Sequence, residues 1–407
     1  MKTNLFLMDM ASAWSVNGVM RFIQELAEAL ATNTEYRIIW VRFIHQLTDS
    51  STHELTEGIR YVILSLPNDL HTFLNNREIR TSIWENAYRN IKEIMQENER
   101  NILHVHTLNL MDFALYVRER IPCKIVSHIH CIPWKGLYNN HEKQFNLLYE
   151  KFYIKQDYSK PEYFIFRDYE RKTYELSDCI VCVTKCAENF IRSLCPNAID
   201  NTKVVTNAIK DIGIKHSYNT RKGPVRCLFV GNSTRSKGLD LILQSLNIVN
   251  WHHDVALTVA GTYSKENQRI YHAQYPFLYI QFVGKVSMLK LMDLYVHADI
   301  GLIASLQEQC SYVAIEMMMF GLPIVTTDVD GLGEIFTNKV NALTVPTRFQ
   351  QSKGLRVNIN EMAHAIQLLI ENPILRRNIG TNARKQYKLR HSIQMLAKEM
   401  GYIYAKL

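Results

Sequence analysis

Short apolar segments alternate with amphipathic helical patterns along almost the whole of this 407-residue chain. In the first half, the predicted strands are Asn4–Met8, Arg37–Phe43, Arg60–Leu64, Ile102–His106, Lys124–His128, Ile180–Thr184 and Lys203–Thr206. In the second half, they are Val225–Val230, Ala256–Ala260, Ile280–Val283, Ile300–Ala304, Ile324–Thr327 and Ala342–Val345. Between them lie helical patterns such as Val19–Thr32, in which apolar residues recur every three or four positions. This alternation predicts the α/β class, with parallel sheets that carry helices on both faces.

A polar segment divides the chain into two such units. Lys210–Lys222 is mostly polar and contains Gly213, and Gly223-Pro224 follows it, which is typical of a linker. Because 407 residues are enough for two domains, we predict doubly wound domains at residues 1–209 and 210–389. In such sheets, ligands bind beyond the carboxyl ends of the strands, so function is expected in the loops that follow strands.

The last predicted helix, Ser392–Ala405, has an apolar stripe that indicates packing. The apolar residues recur at three- and four-residue steps: Ile393, Leu396, Met400, Ile403 and Tyr404. Residues 376–407 carry eight basic residues and one acid. This charge fits contact with an anionic membrane surface or an anionic acceptor, and it fits an ordinary solvated helix face equally well.

The composition excludes several classes of function. The net charge of +8 comes without a recognised nucleic-acid motif, so nucleic acid is not an expected partner. The chain has no run of eighteen apolar residues, and Asp9 interrupts the apolar start, which we interpret as a strand and not a signal peptide. Eight cysteines are scattered, and the pair Cys179 and Cys182 lies inside an apolar strand. Reduced, buried thiols and a cytoplasmic location are therefore expected.

The segment Ser305–Asp328 combines two carboxylates with a helix start. Glu308 and Glu316 flank Ser311, a residue type that favours the N-cap position of a helix. The free N–H groups and the positive dipole end of such a helix suit a phosphate. A carboxylate beside them can accept hydrogen bonds from sugar hydroxyls. The segment therefore predicts a ligand that contains both sugar and phosphate.

A glycine-bounded loop follows the predicted strand Val225–Val230. It runs from Gly231 to Gly238 and includes Arg235 and Lys237. Amides at a helix start together with two cations can bind a diphosphate and neutralise the charge of a leaving group. The alternative is an ordinary solvated loop between a strand and a helix.

These motifs resemble those of glycosyltransferase family 4, the retaining nucleotide-sugar transferases. Glu308 and Glu316 match its E-x7-E signature, although Cys310 and Ser311 stand where that family usually has Phe-Gly. The resemblance implies the GT-B fold, in which two doubly wound Rossmann-like domains face a central cleft. It also implies that Glu308 contacts the transferred sugar and Glu316 the ribose. A C-terminal helix, residues 390–407, would cross back to the acceptor-side domain.

Further segments resemble the same family in the same order. Gly231, Lys237 and Gly238 match its G-R-L-x-x-x-K-G loop, with Asn232 in place of the arginine. The stretch Phe282 to Val286 is similar to its F-x-G-x-V, whose backbone meets the nucleotide base. The resemblance implies a donor site built from these residues: Gly231, Asn232, Gly238, Gly261, Gly284, Lys285, Val286, Cys310, Ser311, Tyr312 and Glu316. The residues Asp330 to Glu334 resemble its G-G-x-P-E.

The first half contributes candidates for the acceptor side. Asn17-Gly18 follows the first predicted strand, where the family has a glycine loop, and His130 resembles its active-site histidine. The pairs His104/His106 and His128/His130 each end or follow a strand, and alternation places both members of a pair on one face. Since the two strands are expected to be neighbours, His106 and His130 are predicted to converge. H-x-H is also a metal-ligand pattern, and buried structural histidines are a further interpretation.

An aromatic-rich segment extends from Trp134 to Tyr174. Its position after the His130 loop suits aromatic stacking on an acceptor, whether a sugar, a peptide or a lipid. The same residues equally suit the core of two helices that pack on the sheet.

We predict a retaining glycosyltransferase that moves a hexose-type sugar from a UDP- or GDP-sugar to an acceptor hydroxyl, in glycan biosynthesis. The expected catalytic residues are Glu308, His130, Lys237 and Arg235, and the acceptor-side residues are Gly18 and His106. No metal or other cofactor is predicted. The acceptor would be a glycan, a lipid-linked sugar or a peptide. The expected location is cytoplasmic, with peripheral contact at the inner face of the membrane as an option. The alternatives are a non-catalytic nucleotide-sugar-binding subunit and a nucleotide-sugar epimerase of the same fold.

Overall fold

The computed structural model describes residues 2–12, 17–45, 51–56, 58–66, 77–95, 100–132, 170–216, 223–350 and 354–407. These residues form two compact units, each with its own parallel sheet. The first unit contains the described residues up to Cys131, those from 170 to Ala208, and Ile393–Leu407. The second consists mainly of those within Ile209–Ser392.

The first unit is built on an eight-stranded sheet of order β3-β4-β2-β1-β5-β6-β7-β8. Its strands are β1 Thr3–Ser12, β2 Tyr36–His45, β3 Ser51–Thr56, β4 Ile59–Leu66, β5 Arg100–Val105, β6 Lys124–Ile129, β7 Cys179–Cys182 and β8 Thr202–Val204. Its helices include α1 Gly18–Ala31, α2 Arg77–Ile91, α3 Met111–Arg118 and α4 Lys185–Leu194. All pairings are parallel except that of β3 with β4.

Burial on both faces explains why the strands of this sheet are so apolar. Leu5, Phe6, Leu7 and Met8 of β1 are all fully buried, so consecutive side chains on opposite faces are covered. Helix α1 covers part of one face, and its first turn is capped by Asn17, whose side chain accepts a hydrogen bond from the Met20 N–H at 2.9 Å.

The second unit has a six-stranded, all-parallel sheet of order β11-β10-β9-β12-β13-β14. Its strands are β9 Val225–Val230, β10 Val255–Ala260, β11 Tyr279–Gly284, β12 Ile300–Ile303, β13 Ile324–Thr327 and β14 Leu343–Val345, with a separate hairpin of β15 Thr347–Gln350 and β16 Gly354–Val357. Its helices are α5 Leu239–Val249, α6 Lys265–Gln274, α7 Met288–His297, α8 Tyr312–Phe320, α9 Asp330–Ile335, α10 Ile359–Glu371 and α11 Pro373–Arg390. The strand order reverses between β9 and β12, which is where a doubly wound sheet binds ligands.

Each strand predicted from the sequence is present, and the bounds of β9 and β13 are as predicted. The prediction omitted β3, β15 and β16, which form antiparallel pairs. The sequence of β3, STHELT, contains no apolar run, and β15 is largely exposed, so neither has the hydrophobic pattern of a buried strand.

The final helix, α12 at Ile393–Lys406, belongs to the first unit and contacts α1. Its buried residues are four of the five in the predicted stripe, with Leu396, Met400 and Tyr404 each at most 1% exposed, whereas Ile393 is half-buried. The unit boundaries fall at Ala208/Ile209 and Ser392/Ile393.

The basic residues near the end of the chain are divided between the two units. Arg384, Lys385, Lys388 and Arg390 lie on α11 in the second unit, whereas Lys398 and Lys406 lie on α12 in the first. Arg384 is only 9% exposed and donates to both carboxylate oxygens of Asp211, at 3.0 and 2.9 Å. The expectation of a solvated basic face at Arg384 is therefore wrong, because this charge is buried in an ion pair.

Two predicted segments are described only in part. The aromatic segment from Trp134 up to residue 169 lies outside the described residues, and so do residues 217–222 of the predicted linker. In the part of the chain that the structure describes, no helix has the length and apolar composition that a membrane span requires.

Candidate functional site

A cavity of about 300 Å³ opens in the second unit, where the strand order of the sheet reverses. Nine of the residues predicted from the sequence line it: Gly231, Asn232, Lys237, Gly261, Gly284, Lys285, Val286, Glu308 and Ser311. Residues that the sequence did not single out complete the lining: Phe229, Val230, Ala260, Leu291, Leu302, Ile303, Ser305 and Val313. Most of the added residues are apolar and lie at strand ends or on helices, so nothing in their sequence pattern distinguishes them from core residues.

Two strand-end loops pack so closely that one position requires glycine. Gly261 has a φ of +148°, and a Cβ there would lie 2.0 Å from the carbonyl oxygen of Gly231. The Asn232 side chain strengthens the same contact, since its Oδ1 accepts from the Thr262 N–H at 3.3 Å. Asn232 therefore connects the loop after β9 to the loop after β10. The arginine that the family usually has at this position would supply charge instead.

The turn that carries Lys237 is fixed against the segment after β12. A Cβ on Gly238, whose φ is +72°, would lie 2.0 Å from the Ala304 carbonyl oxygen, so the backbones touch. The Ser236 carbonyl accepts from the Leu306 N–H at 2.8 Å. This contact places the Lys237 ammonium 2.5 Å from Glu308 Oε2. Arg235 lies in the same turn, but it is exposed and is not among the residues that line the cavity.

Glu308 is held at the cavity by its backbone as well as by Lys237. Its N–H donates to Asp330 Oδ2 at 3.4 Å, and its carbonyl accepts from the Gly331 N–H at 3.0 Å. Ser305 Oγ lies 3.5 Å from Glu308 Oε2. Asp330 has a φ of +45°, in the left-handed region. These contacts explain why a segment that resembles the family's G-G-x-P-E lies beside the first glutamate of the E-x7-E pair.

Helix α8 starts at the cavity, as the sequence predicted. Ser311 is its N-cap, and the side-chain oxygen accepts from the Ala314 N–H at 3.3 Å. Both Ser311 and Val313 line the cavity, while Cys310 is buried beside them and Tyr312 forms the first helical residue. The first N–H groups of a helix have no partner within the helix, so this end offers donors and a positive dipole to an anion.

Glu316 occupies a more deeply buried position than the cavity lining. It is 4% exposed, and its Oε2 accepts from Tyr295 Oη at 2.5 Å. Tyr295 lies on α7, and the sequence contained no signal for this pair because the two residues meet only through helix packing. Glu308 and Glu316 thus have separate partners within the second unit.

The candidates of the first unit meet at neighbouring strands. His106 Nδ1 and His130 Nε2 lie 3.0 Å apart, which agrees with the predicted convergence of these residues. Burial lowers the pKa of His130 to about 3, so its imidazole is neutral at pH 7. Gly18 is the first residue of α1.

Comparison with known sequences accounts for both units. The family described as "Glycosyltransferase Family 4" matches residues 16–211, and the family described as "Glycosyl transferases group 1" matches residues 213–386. The chain belongs to glycosyltransferase family 4. The second match contains every residue of the cavity lining, and the first contains Gly18, His106 and His130.

Relatives of this family 4 chain are distant. An uncharacterized glycosyltransferase of Methanocaldococcus jannaschii is 26% identical over 249 residues, which are 57% of this chain and 60% of the relative. The chain thus matches less than two thirds of the length of that relative. A glycogen synthase of Mycobacterium tuberculosis is 21% identical over 96% of this chain and 91% of its own length.

Solved structures agree with the fold over the full chain. A sucrose-phosphate synthase from Thermosynechococcus elongatus has a TM-score of 0.75 at 18% identity, covering 100% of this chain and 99% of that one. Anabaena HepE in complex with UDP has a TM-score of 0.69 at 13% identity, with complete coverage of both chains. These likenesses show that the family 4 chain has the GT-B fold.

Proposed function

We propose that this protein is a retaining glycosyltransferase that transfers a hexose-type sugar from a nucleoside diphosphate sugar to an acceptor hydroxyl. The observation that carries the proposal is the Lys237–Glu308 pair, 2.5 Å apart, in a cavity at the N-terminus of α8. This arrangement offers one cation and helical amides to a diphosphate, and one carboxylate to sugar hydroxyls. Among the structural neighbours, HepE has been solved with UDP and with UDP-glucose, which supports a nucleotide-sugar donor.

In the proposed reaction, the bond between the anomeric carbon and the diphosphate oxygen breaks, and a new bond to the acceptor oxygen forms on the same face. Lys237 and the amides from Cys310 to Tyr312 stabilise the charge that develops on the diphosphate. The acceptor proton passes to the departing diphosphate oxygen. Glu308 orients the sugar by accepting its hydroxyls. Lys285 lines the cavity as a further cation, and Arg235, which does not line it, keeps the catalytic role of stabilising the diphosphate that the sequence predicted.

On the acceptor side, Gly18 and His130 keep the roles that the family resemblance implies, and His106 is proposed to act beside His130. The acceptor is proposed to be the hydroxyl of a glycan, a lipid-linked sugar or a peptide. The protein is proposed to act in the cytoplasm. Peripheral membrane contact would use the basic residues of α11 and α12 other than the buried Arg384.

A panel of UDP- and GDP-sugars tests the proposal by thermal stabilisation and by release of free nucleoside diphosphate. We expect one donor to raise the melting temperature and to be hydrolysed slowly without an acceptor, with release greatly reduced in Lys237→Met. Stabilisation without release, even with acceptors present, would favour a non-catalytic binding subunit. Conversion of the sugar without release of the diphosphate would favour an epimerase. No response to any donor would contradict the nucleotide-sugar assignment.

Replacement of Glu316 by alanine is expected to weaken nucleotide binding about tenfold to a hundredfold, since a charged hydrogen bond contributes roughly 1.5–3 kcal/mol. The ribose hydroxyls are its proposed partners, and Tyr295 Oη already holds the carboxylate at 2.5 Å. Calorimetric titration with UDP and GDP measures the effect. Nucleotide affinity in Tyr295→Phe serves as a comparison, because this change keeps the Glu316 carboxylate and removes only the hydroxyl group that orients it. Unchanged affinity for both nucleotides in Glu316→Ala would show that the donor-site assignment of Glu316 is wrong.

Transfer is expected to proceed without a divalent metal. At the cavity, the Glu308 carboxylate is engaged by the Lys237 ammonium, which can itself neutralise the leaving diphosphate. Initial rates in EDTA should therefore stay within about twofold of the untreated rate, and added Mg²⁺ or Mn²⁺ should not raise them. A complete loss of transfer in EDTA that Mn²⁺ restores would overturn this expectation.

A further inference from the structure

Four histidines of the first unit form a ladder on one face of the sheet, and three of them are buried. Strands β5 and β6 are parallel neighbours, and His104, His106, His128 and His130 lie on them or directly after them in two pairs. The ring centroids of His104 and His106 are 4.0 Å apart, and those of His128 and His130 are 4.2 Å apart. Phe22 of α1 packs against three of the rings. The proposed function assigns roles to His106 and His130, and it assigns none to His104 or His128.

The hydrogen bonds within the ladder leave two ring nitrogens unsatisfied. His104 Nδ1 lies 2.6 Å from Tyr404 Oη, His104 Nε2 lies 3.2 Å from His128 Nδ1, and His106 Nδ1 lies 3.0 Å from His130 Nε2. Nε2 of His106 and Nε2 of His128 are buried, and no residue that the structure describes forms a hydrogen bond with either atom. Both side chains are more than nine-tenths buried. An unpartnered polar atom in such a place is costly unless something else binds it.

The chemistry of imidazole makes these nitrogens suitable as ligands. A neutral imidazole carries one N–H and offers one lone pair, so each of the three rings can bind a cation through one nitrogen. An orphaned lone pair is tolerated better than an orphaned N–H, so the tautomers that leave the Nε2 atoms of His106 and His128 unprotonated are favoured.

We propose that His104, His106 and His128 bind a single transition-metal dication, for which Zn²⁺ is the best match. One ligand nitrogen from each of the three lies within 4.8 Å of the others. Nitrogens around a tetrahedral Zn²⁺ lie about 3.4 Å apart, given Zn–N bonds of about 2.1 Å, so the rings would have to move closer together on binding the ion. Imidazole ligands without carboxylate select Zn²⁺, Ni²⁺ or Cu²⁺ and disfavour Mg²⁺ and Ca²⁺.

Tyr404 completes the environment of the site. The phenol holds His104 Nδ1, so His104 would bind the ion through Nε2, which would exchange its 3.2 Å contact with His128 Nδ1 for the ion. The ion would thus join β5 to β6 and, through Tyr404, to the final helix α12. The donor cavity belongs to the second unit, whereas the zinc site shares His106 with the proposed acceptor side.

Zinc binding by tag-free protein tests the inference. The protein is dialysed against a strong chelator, freed of it, and then equilibrated with Zn²⁺. We expect one tightly bound Zn²⁺ per chain, a higher melting temperature with Zn²⁺ than without, and the visible ligand-field bands of four-coordinate Co²⁺ when Co²⁺ replaces it. In His106→Ala/His128→Ala this binding should be lost, and Tyr404→Phe should weaken it about tenfold.

The control variant is His252→Ala/His364→Ala, which removes two exposed histidines of the second unit and should bind Zn²⁺ as the unaltered protein does. Stabilisation by UDP reports whether the donor unit of each variant is folded, and circular dichroism reports the whole chain. If the double alanine variant does not fold, His106→Gln takes its place. The inference is overturned if the unaltered protein binds no stoichiometric Zn²⁺, or if a folded variant of the cluster binds it equally well. A variant that loses Zn²⁺ binding and keeps donor hydrolysis shows that the two properties are separate. A variant that keeps Zn²⁺ binding and loses donor hydrolysis, such as Lys237→Met, shows the same.

Discussion

Replacement of Lys237 by methionine is expected to lower kcat about 10²–10³-fold, the usual effect of removing one group that stabilises charge in a transition state. Lys237 is the cation that pairs with Glu308 at the cavity, and the close contacts of Gly238 with Ala304 and of Ser236 with Leu306 fix its position. Methionine keeps the length and apolar stem of the side chain while removing the ammonium. Donor turnover at saturating nucleotide sugar measures the effect.

A surface lysine provides the matched control for this variant. Lys185 is exposed on α4 of the first unit, where it pairs with Glu188 at 2.7 Å. Lys185→Met removes the same charge from a similar ion pair and should leave kcat unchanged. If Lys237→Met retained kcat within about twofold, the assignment of Lys237 to the leaving diphosphate would be wrong.

Replacement of Glu308 by glutamine is expected to lower kcat about tenfold to a hundredfold or slightly more, with little change in the affinity for the nucleotide. Glutamine is nearly isosteric, but it exchanges a carboxylate that accepts from sugar hydroxyls for a neutral amide. The nucleotide contacts assigned to the N-terminus of α8 and to Glu316 remain. Parallel measurements of kcat and of the UDP dissociation constant separate the two quantities.

The comparison for Glu308→Gln is Glu266→Gln, an exposed glutamate in the first turn of α6 that does not line the cavity. It should retain both kcat and UDP affinity. A Glu308→Gln protein that lost UDP affinity while keeping its turnover number would reverse the roles proposed for the two glutamates. Such a result would place Glu308 on the nucleotide and not on the transferred sugar.

The sequence predicted elements whose signals are local. The strands of both sheets are apolar runs of the right length, and Ser311 was identified as the start of α8 because its side chain can cap a helix. The same local reasoning located the loop of Gly231, Lys237 and Gly238 between a strand and a helix. These features depend on residues that are close together along the chain, so composition and spacing are sufficient to reveal them.

Features produced by tertiary packing were not predicted. Tyr295 and Glu316 come from different helices, and no periodic pattern relates them. Asn232 stands in place of the family's arginine, and the sequence does not indicate that its amide oxygen holds the neighbouring loop through the Thr262 N–H. Asp330 adopts a left-handed backbone conformation beneath the Glu308 loop, although the residue type alone does not require it. In each case, the partner lies many residues away and is identified only when the chain is folded.

The place of α12 in the first unit has a consequence for how the protein is made. During translation, α12 leaves the ribosome only after the whole second unit, so the first unit must wait for its last helix while the second is already synthesised. Until then α1 lacks the helix that contacts it, and His104 lacks the phenol of Tyr404. The nascent first unit therefore exposes apolar surface for the length of that delay. This interval is when a chaperone would be most useful to the chain.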